Sequence, residues 1–405
     1  MKSQPNTSLI VVGTGPAGMI AALALAKAGQ SVTLIGPEPG HDGRTTALMT
    51  PALDVLEELG LLRALETVAA PLRTMRIIDA TSRLLRSPTV TFRASEIGQS
   101  HFGLNIPNTA LLASLREAVM SSGAITWLQS TVEQWTPEPE CIHARLADGT
   151  IVSACLAIAA DGRNSPARAA AGIRVSSRSY RQAALVLNFA HSRDHGDIST
   201  EFHTETGPFT QVPLPGRNSS LVWVVTPETA RMLADLDEIS LSRRVEERMQ
   251  SMLGRVTIAP GRQIYPLSAA LPARFAQNRV ALVGEAAHVF PPIGAQGLNL
   301  GIRDVQDLVR MLNEYAEDPG SDAALARYDR LRRPDIVARS AGVNLLNRSL
   351  LSDLLPAQMA RGLGLSLLGS ISPLRSFFMR EGLSPGSGWA GAVSDLGKQV
   401  RRQRA

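Results

Sequence analysis

A glycine pattern close to the start of the chain constrains the fold more than any other feature. Residues 13–18 read Gly-Thr-Gly-Pro-Ala-Gly, a G-x-G-x-x-G pattern. A run of branched apolar residues at 9–12 precedes it and predicts a buried parallel strand, and the Ala- and Leu-rich stretch 16–28 predicts a helix. A second strand is predicted at 31–35. A strand–turn–helix–strand unit with these glycines is typical of dinucleotide binding, which is the first functional expectation.

The glycines and the start of the helix together form the predicted phosphate site. The glycines permit the tight turn, the close approach of a pyrophosphate and the close packing of helix on strand. The amino end of the helix adds N–H donors and a partial positive charge. The residues assigned to this site are Gly13, Gly15, Pro16, Ala17 and Gly18.

The end of the second predicted strand departs from the usual pattern. An acidic residue there normally binds the adenosine ribose, but Gly36 occupies this position. Glu38 is the nearby carboxylate of suitable reach. Two interpretations of Glu38 stay open: it replaces the missing acid, or it is a solvated loop residue between two prolines while other groups bind the ribose.

Composition and charge exclude several classes of function. The 405 residues suffice for two or three domains, and 44% hydrophobic with 19% charged residues is ordinary for a globular protein. Aromatic residues make up 4%, and no dense basic run accounts for the net charge of +5, so nucleic-acid binding is not expected. Cys141 and Cys155 cannot build a disulfide framework, which favours a reducing compartment. No signal peptide or apolar run of about 18 residues is visible, so the expected location is the cytoplasm.

Two shorter motifs follow in the first half of the chain. Asp-Gly-Arg at 42–44 opens a stretch at 45–59 that is predicted to be helical. The apolar run 156–160 predicts another buried strand, and it ends in Ala-Asp-Gly-Arg-Asn-Ser at 160–165. Each motif follows a predicted strand, as the ligand-binding residues of a dinucleotide-binding sheet do.

The longest motif lies in the second half of the chain. A strand predicted at 279–283 leads into Gly-Glu-Ala-Ala-His at 284–288, and Pro-Pro-Ile-Gly-Ala-Gln-Gly-Leu-Asn-Leu-Gly-Ile-Arg-Asp occupies 291–304. A helix is predicted at 298–312. Glycines at 294, 297 and 301 would remove side chains where a flat ring system approaches the backbone. The N–H groups at the helix start would favour negative charge on the facing edge of such a ring system.

Taken in order and spacing, these motifs resemble those of the single-component flavin monooxygenases typified by p-hydroxybenzoate hydroxylase. The resemblance covers nearly the whole chain, and three short segments at 207–209, 220–223 and 265–267 are most similar to the ubiquinone-biosynthesis hydroxylases. It implies an α/β fold with a discontinuous Rossmann-like FAD-binding domain, an antiparallel-sheet substrate domain and a C-terminal helical region.

The resemblance also implies a set of residues that contact FAD. Beyond the phosphate site and Glu38, these are Arg44, Asn108, Asp161, Gly162, Glu285, Pro292, Gly294, Gly297, Leu298 and Asn299. Glu285 stands where the family usually has Asp, so its side chain is one methylene longer. No catalytic side chain is assigned, because the flavin carries the chemistry; Pro292 and Gly294 are expected to line it.

The implied activity is hydroxylation of an aromatic ring through a flavin C4a-hydroperoxide, with FAD as cofactor and NADH or NADPH and O2 as co-substrates. The implied substrate is a polyprenylphenol of ubiquinone biosynthesis, and other proteins of that pathway are possible partners; the oligomeric state stays open.

A halogenase would need a Trp-x-Trp signature that the sequence lacks. A polyprenyl reductase or a non-catalytic flavin-binding scaffold remain as alternatives.

Histidines and one ion pair have structural interpretations. His288 is expected to be a structural residue next to the cofactor rather than a base. His191 and His195 lie four apart, but their segment has loop character, so no metal site is predicted. Arg303 and Asp304 are expected to pair across the start of their helix.

The spacing of the motifs requires a cofactor domain built from separated segments. The predicted division is 1–73, 101–176 and 264–325 for the FAD domain, 74–100 and 177–263 for the antiparallel sheet, 326–383 for C-terminal helices and 384–405 for a flexible tail. Two interpretations of the Leu-rich stretch 350–378 stay open, a core-packing helix and a peripheral contact with the inner membrane.

Overall fold

The computed structural model describes residues 9–82, 86–291, 296–351 and 370–383. Of the predicted features, Pro292, Gly294, most of the stretch 350–378 and the tail 384–405 lie outside these residues. Within them, the chain forms four sheets and a set of helices.

A six-stranded sheet forms the centre of the cofactor-binding half. Its strands are β1 (Leu9–Val12), β2 (Val32–Ile35), β8 (Ile125–Leu128), β12 (Leu156–Ala159), β19 (Ala276–Gln277) and β20 (Val280–Leu282). The order across the sheet is β19-β20-β12-β1-β2-β8, and every pairing except that of β19 with β20 is parallel. Strands β1, β2 and β12 are buried along their whole length, because helices cover both faces of a parallel sheet.

Helices surround this sheet. They are α1 (Pro16–Lys27), α2 (Thr50–Glu58), α3 (Leu62–Glu66), α4 (Asn108–Ser121), α5 (Pro166–Ala170), α8 (Gln296–Glu314) and α9 (Asp322–Leu351). A further helix, α10 (Ser372–Leu383), packs instead against the turn at Ala94–Ile97. Helix α1 packs against both α4 and α8, and α8 packs against α9. Short 3-10 turns occupy Ala94–Ile97 and Gly284–Ala286.

The prediction of a continuous helix over 45–59 is partly wrong. Residues Thr45–Met49 form strand β3, and helix α2 begins only at Thr50, with Pro51 in its first turn. Strand β3 pairs antiparallel with β7 (Gly103–Pro107), which also pairs with β4 (Ala70–Pro71). A partner strand more than fifty residues away thus satisfies the backbone groups that the local pattern had assigned to a helix.

An eight-stranded sheet forms the second half. Its strands are β5 (Thr74–Asp79), β6 (Val90–Arg93), β13 (Val175–His191), β14 (Ile198–Thr204), β15 (Gly207–Leu214), β16 (Asn218–Val225), β17 (Val256–Ile258) and β18 (Gln263–Pro272). Strands β13 and β16 pair antiparallel, with Ala184 opposite Val224, which confirms the predicted strands at 184–189 and 221–225. The pairing of β5 with β14 is parallel.

One face of this sheet is closed by two helices. Helices α6 (Pro227–Asp235) and α7 (Glu238–Arg248) pack on the face that carries Phe202, Phe209 and Trp223. The rings of Phe209 and Trp223 meet edge to face with centroids 5.2 Å apart, a favoured arrangement of aromatic pairs. The core on this side therefore leaves the opposite face of the sheet for contact with the cofactor-binding half.

A small antiparallel sheet completes the architecture. It consists of β9 (Val132–Pro137), β10 (Ile142–Leu146) and β11 (Ile151–Ala154), in the order β11-β10-β9. Because β18 belongs to the eight-stranded sheet, residues 264–272, predicted as part of the FAD domain, pair instead with β13. The division of the chain into domains stays a prediction. Among the helices of the described residues, none combines the length and the apolar character needed to cross a bilayer.

Candidate cofactor site

Four parallel strands end at one edge of the six-stranded sheet, and the predicted cofactor residues follow them. The turn after β1 carries residues 13–18, the loop after β2 carries Glu38, and Asp161 follows β12. Glu285 follows β20 on the same edge. Doubly wound folds bind dinucleotides at the carboxyl edge of their sheet. The tertiary structure therefore brings together at this edge residues that lie more than 270 positions apart in the sequence.

The three glycines of the first turn have different structural roles. Gly13 has φ +108°, and a Cβ there would lie 2.2 Å from the carbonyl oxygen of Ala160. A Cβ on Gly18 would lie 1.9 Å from the carbonyl oxygen of Gly13. A Cβ on Gly15, in contrast, would meet nothing within 4 Å among the described residues. Gly13 and Gly18 are therefore required by the packing of strand on helix, whereas Gly15 keeps a surface open for a ligand.

Helix α1 offers a binding surface for an anion. It begins at Pro16, and its N-cap is Gly15 in extended conformation, which has no side chain to cover the first N–H groups. The amino end of a helix carries uncompensated N–H donors and a partial positive charge. The arrangement fits a pyrophosphate.

Asp161 presents an unsatisfied acceptor at the same edge. Its Oδ2 accepts a hydrogen bond from the backbone N–H of Ala167 (3.1 Å), but its buried Oδ1 has no hydrogen-bond partner in the described structure. Burial raises the pKa of Asp161 above its usual value, against the hydrogen bonds from Ser165 and Ala167. A buried carboxylate oxygen without a donor is costly, and a ligand hydroxyl group would satisfy it.

Glu38 and Glu285 are both solvated and ion-paired. Glu38 lies 2.8 Å from Nε of Arg116, and Glu285 lies 3.3 Å from Nε of Arg163. About half of each of these four side chains is exposed. Both glutamates can exchange their arginine for a ligand at small cost, because exposed ion pairs contribute little to stability.

Arg44 is held in place by a carboxylate that the sequence analysis did not single out. Its Nε and Nη2 donate to Asp42 at 2.8 and 2.7 Å, and Asn108 donates to the same carboxylate at 2.8 Å. Burial alone would raise the pKa of Asp42, but the bonds from Arg44 and Asn108 outweigh it and leave the pKa below its usual value. The guanidinium also stacks over Tyr265 at 5.1 Å. The D-G-R motif could have indicated this role of Asp42, because a carboxylate two residues before a functional arginine can orient the guanidinium group.

The start of α8 is clamped onto β3. Asn299 accepts from the backbone N–H of Met49 and donates to the carbonyl of Ala47, both at 2.8 Å. A Cβ on Gly297 would meet nothing within 4 Å among the described residues, and Leu298 is half-buried. The clamp joins the long C-terminal motif to the strand that follows Arg44.

Gly301 does not have the predicted role beside a ring system. A Cβ there would lie 3.3 Å from Cα of Gly284 and 3.5 Å from Cβ of Ala17. Gly284 itself has φ +64°, and a Cβ there would lie 2.9 Å from Cβ of Ala17. Gly301 and Gly284 therefore permit the contact between α8, the 284 turn and α1.

Asp304 does not pair with Arg303. Its Oδ2 accepts from the backbone N–H of Gly284 (2.9 Å) and lies 2.8 Å from Nε2 of His288, while Oδ1 accepts from Arg332 (2.8 Å). Successive residues on a helix point in different directions, and Arg303 reaches Asp335 at 3.5 Å instead. The structure thus places His288 in a buried network below the 284 turn.

The open face of the eight-stranded sheet lies against the Arg44 loop. Asn188 on β13 donates to the carbonyl of Gly43 (3.0 Å), and Thr45 donates to Ser220 on β16 (2.9 Å). The cation–π contact between Arg44 and Tyr265 crosses the same junction. These contacts identify the face that looks toward the cofactor edge.

An acid–base pair lies on that face. Glu201, Thr210 and Val222 lie opposite one another on β14, β15 and β16 and form one row across the sheet. Val222 is two residues from Ser220 along β16, so this row lies about 7 Å from the contact of Ser220 with Thr45. Nε2 of His203 lies 2.8 Å from Oε1 of Glu201, and the His203 side chain is 4% exposed. Sequence reasoning missed the pair, because two residues separated by one in a strand become neighbours on a face only once the strand is known.

The other histidines of the large sheet have ordinary partners. Ring nitrogens of His191 lie 2.7 Å from the carbonyl oxygen of Arg193 and 3.0 Å from Oγ of Ser219. Nε2 of His195 lies 2.9 Å from the carbonyl oxygen of Leu214. Among the described residues, this pair does not belong to a group of three ligands within metal-binding distance.

Comparison with known proteins supports a dinucleotide-binding site at this edge of the sheet. A family model described as FAD binding domain matches residues 6–340. The chain belongs to this FAD-binding family. The match covers every motif at the cofactor edge, from the first glycine turn to the start of α8.

Individual proteins extend the likeness. The ubiquinone hydroxylase UbiL of Rhodospirillum rubrum is 33% identical over 386 residues, covering 93% of this chain and 89% of the relative. The 3-demethoxyubiquinol 3-hydroxylase of Escherichia coli is 30% identical over 379 residues, covering 90% and 95%. The solved p-nitrophenol 4-monooxygenase PnpA of Pseudomonas putida superposes with a TM-score of 0.75 at 21% identity, covering 95% and 97%. The predicted family and fold class are confirmed.

Proposed function

We propose that this chain is a monooxygenase that hydroxylates an aromatic ring, using FAD, O2 and NADH or NADPH as electron donor. The observation that carries the proposal is the opposition of two surfaces. One is a dinucleotide edge with an open Gly15 and an unsatisfied Asp161 oxygen. The other is a sheet face that meets this edge at Arg44 and carries a buried acid–base pair.

The residues proposed to hold FAD follow from the site. Residues 13–18 and the start of α1 would bind the pyrophosphate, and Asp161 would accept a hydrogen bond from a hydroxyl group of the cofactor. Arg44, fixed by Asp42, would contact the cofactor from the junction with the sheet. Further proposed contacts are Glu38, Asn108, Gly162, Glu285, Pro292, Gly294, Gly297, Leu298 and Asn299.

The substrate we propose is a polyprenylated phenol of ubiquinone biosynthesis. Two relatives with at least 30% identity along about nine-tenths of this chain are named ubiquinone hydroxylase and 3-demethoxyubiquinol 3-hydroxylase. A phenol ring against Val222 would direct its hydroxyl group along the same row toward Thr210 and Glu201.

Bound FAD would supply the activation of O2 by electrons from NADH or NADPH. The protein side chains would accept the substrate proton and exclude water. The Glu201–His203 pair would accept the proton of the phenol hydroxyl, which makes the ring more electron-rich. The apolar surroundings of the pair, including Val222 and Val224, would exclude water from the reacting ring.

An oxygen electrode tests the activity. Purified FAD-loaded protein is given NADH or NADPH and a short-chain polyprenylphenol. Oxygen uptake that depends on the phenol, with one hydroxylated product per NAD(P)H, is the expected result. Oxidation of NAD(P)H without oxygen uptake would instead indicate a reductase, and purified protein that neither binds FAD nor turns yellow would indicate a scaffold.

Profiling of quinone intermediates tests the substrate. In cells lacking this protein, one under-hydroxylated polyprenylphenol should accumulate, and its structure identifies the ring position. Accumulation of no such compound would contradict the substrate while leaving the oxygen-electrode result to decide the activity.

Contact with the cytoplasmic face of the inner membrane completes the proposal. The described part of the C-terminal region exposes Phe378 on α10 and Ile371 just before it. A substrate with a polyprenyl tail resides in the bilayer, so delivery requires a protein surface close to it. Co-flotation of the full chain with vesicles of bacterial lipids is expected, and loss of flotation for Phe378→Asp would support contact through this helix. Flotation unchanged in that variant would exclude the helix as the contact.

A further inference from the structure

A group of three ligand side chains lies on the small three-stranded sheet. Glu138, Cys141 and His143 surround the turn between β9 and β10, and one ligand atom of each lies within 4.8 Å of the others. The proposed hydroxylation makes no use of them. We propose that Glu138, Cys141 and His143 bind a zinc ion.

The distances between the ligand atoms fit a tetrahedral zinc site. Sγ of Cys141 lies 3.3 Å from Nε2 of His143, and Oε2 of Glu138 lies 3.6 Å from that nitrogen and 4.0 Å from the sulfur. Zinc bonds of about 2.3 Å to sulfur and about 2.0–2.1 Å to nitrogen and oxygen place tetrahedral ligands roughly 3.3–3.6 Å apart. Closure around an ion thus requires movements of a few tenths of an ångström.

The histidine is already oriented for coordination. Nδ1 of His143 lies 2.7 Å from Oγ of Ser153 on the adjacent strand β11. A hydrogen bond from Nδ1–H to an oxygen fixes the tautomer that leaves Nε2 free to bind a metal. This second contact is independent of the three ligands.

The backbone that carries the ligands is anchored from two sides. The N–H of Glu138 donates to the carbonyl of Cys141 (2.8 Å) and closes the turn. Nε of Arg279 donates to the carbonyl of Pro139 (2.9 Å), and this nearly buried arginine also pairs with Asp318. A turn fixed in this way loses little conformational entropy when an ion binds.

The local charge favours a cation over a free thiolate. The carboxylate of Glu138 lies 4.0 Å from the Cys141 sulfur, so a negatively charged side chain already stands at the turn. A zinc ion would displace the thiol proton to solvent and neutralise the excess negative charge. Water or the exposed carboxylate of Glu140 would take the fourth position.

The site lies far from the cofactor edge. Cys155 directly precedes β12 at its amino end, and its carbonyl accepts from the same Arg279 that holds the turn. The four residues of β12 span roughly 13 Å, and the cofactor residues follow its carboxyl end. Zinc here would stabilise the fold rather than take part in the hydroxylation.

Metal titration of the full-length holoprotein tests the inference. After dialysis against chelator, Zn²⁺ is titrated calorimetrically, and Co²⁺ is titrated while absorption is followed to the red of the flavin bands. We expect one equivalent of either metal, tetrahedral Co²⁺ bands, and a higher melting temperature with Zn²⁺. Cys141→Ser and His143→Gln should each weaken binding at least 100-fold, and Ser153→Ala about 10-fold.

Matched controls separate the site from unspecific binding. Cys155→Ser changes the other cysteine of the chain and should keep the wild-type affinity. Flavin content and circular dichroism of each variant verify the fold. Affinity unchanged in Cys141→Ser, or binding at less than half an equivalent in the wild type, would overturn the proposal and leave a thiol–imidazole contact without a metal.

Discussion

Nε2 of His203 lies 2.8 Å from Oε1 of Glu201 on the face of the eight-stranded sheet that meets the Arg44 loop. The opposite face of the same strand carries Phe202, which is buried under α6 and α7. Alternation along one strand thus separates the core from the proposed substrate surface. Because both members of the pair are largely buried, their interaction is shielded from solvent and can direct a proton.

The first prediction concerns this pair. His203→Gln should lower kcat about 100-fold with little change in KM, because the phenol loses its proton acceptor but not its apolar contacts. The loss should shrink as the pH rises toward about 10, where a phenol ionises unaided. Steady-state oxygen uptake between pH 6 and 10 measures both effects. Glu205→Gln, in the turn between β14 and β15, is the control and should behave as the wild type. A deficit that persists equally at high pH would refute the proton-transfer role.

The second prediction contrasts two glycines of the first turn. Gly15→Ala should abolish FAD binding while the apoprotein keeps its melting temperature, because the added Cβ occupies open space at the phosphate surface. Gly13→Ala should destabilise the fold itself, since the new Cβ meets the Ala160 carbonyl at 2.2 Å and φ is +108°. Fluorescence titration with FAD and thermal denaturation of the apoprotein distinguish the two effects. Equal destabilisation by both substitutions would contradict the assignment.

The third prediction uses the raised pKa of Asp161. A carboxyl whose pKa is higher in the folded than in the unfolded state costs stability as the pH rises from its ordinary value of about 3.9 to its folded value. Asp161→Asn removes this cost. The apoprotein variant should therefore be more stable than the wild type at pH 7 and equally stable near pH 3.5.

Urea denaturation at both pH values measures this difference. The same variant should bind FAD more weakly, since an amide accepts a ligand hydroxyl less strongly than a carboxylate does. Such an exchange of stability for binding is expected at a functional site. A variant that is less stable than the wild type at pH 7 would show that the carboxylate serves the fold.

The fourth prediction concerns the buried ion pair below the 284 turn. Arg332 and Asp304 are 2% and 0% exposed and 2.8 Å apart. Arg332→Met should lower the free energy of unfolding by about 3–5 kcal/mol, because it leaves a buried carboxylate without its arginine. Arg327→Met, which breaks a surface pair with Glu314, should leave the unfolding midpoint nearly unchanged. Chemical denaturation of both variants provides the comparison, and similar midpoints would refute the prediction.

Local chemistry made much of the cofactor edge predictable from the sequence. The strand at 9–12, the helix from Pro16 and the glycines at 13, 15 and 18 all depend on neighbours within a few residues. The strands at 156–159 and 280–282 could likewise be predicted from apolar runs ending in glycine motifs. Since parallel strands of such a sheet end at one edge, the order of strands and motifs along the chain suffices to assign the motifs to a single site.

Long-range pairing decided the rest. Thr45–Met49 became a strand because β7 lies beside it, and Gly301 proved to serve the contact of α8 with α1. The partners of Asp304 come from residues 284, 288 and 332, and neither the Glu201–His203 pair nor the Cys141 group matches a sequence motif. A sequence determines backbone preferences within a few residues, whereas side-chain partners depend on which elements pack together, and packing is a property of the whole fold.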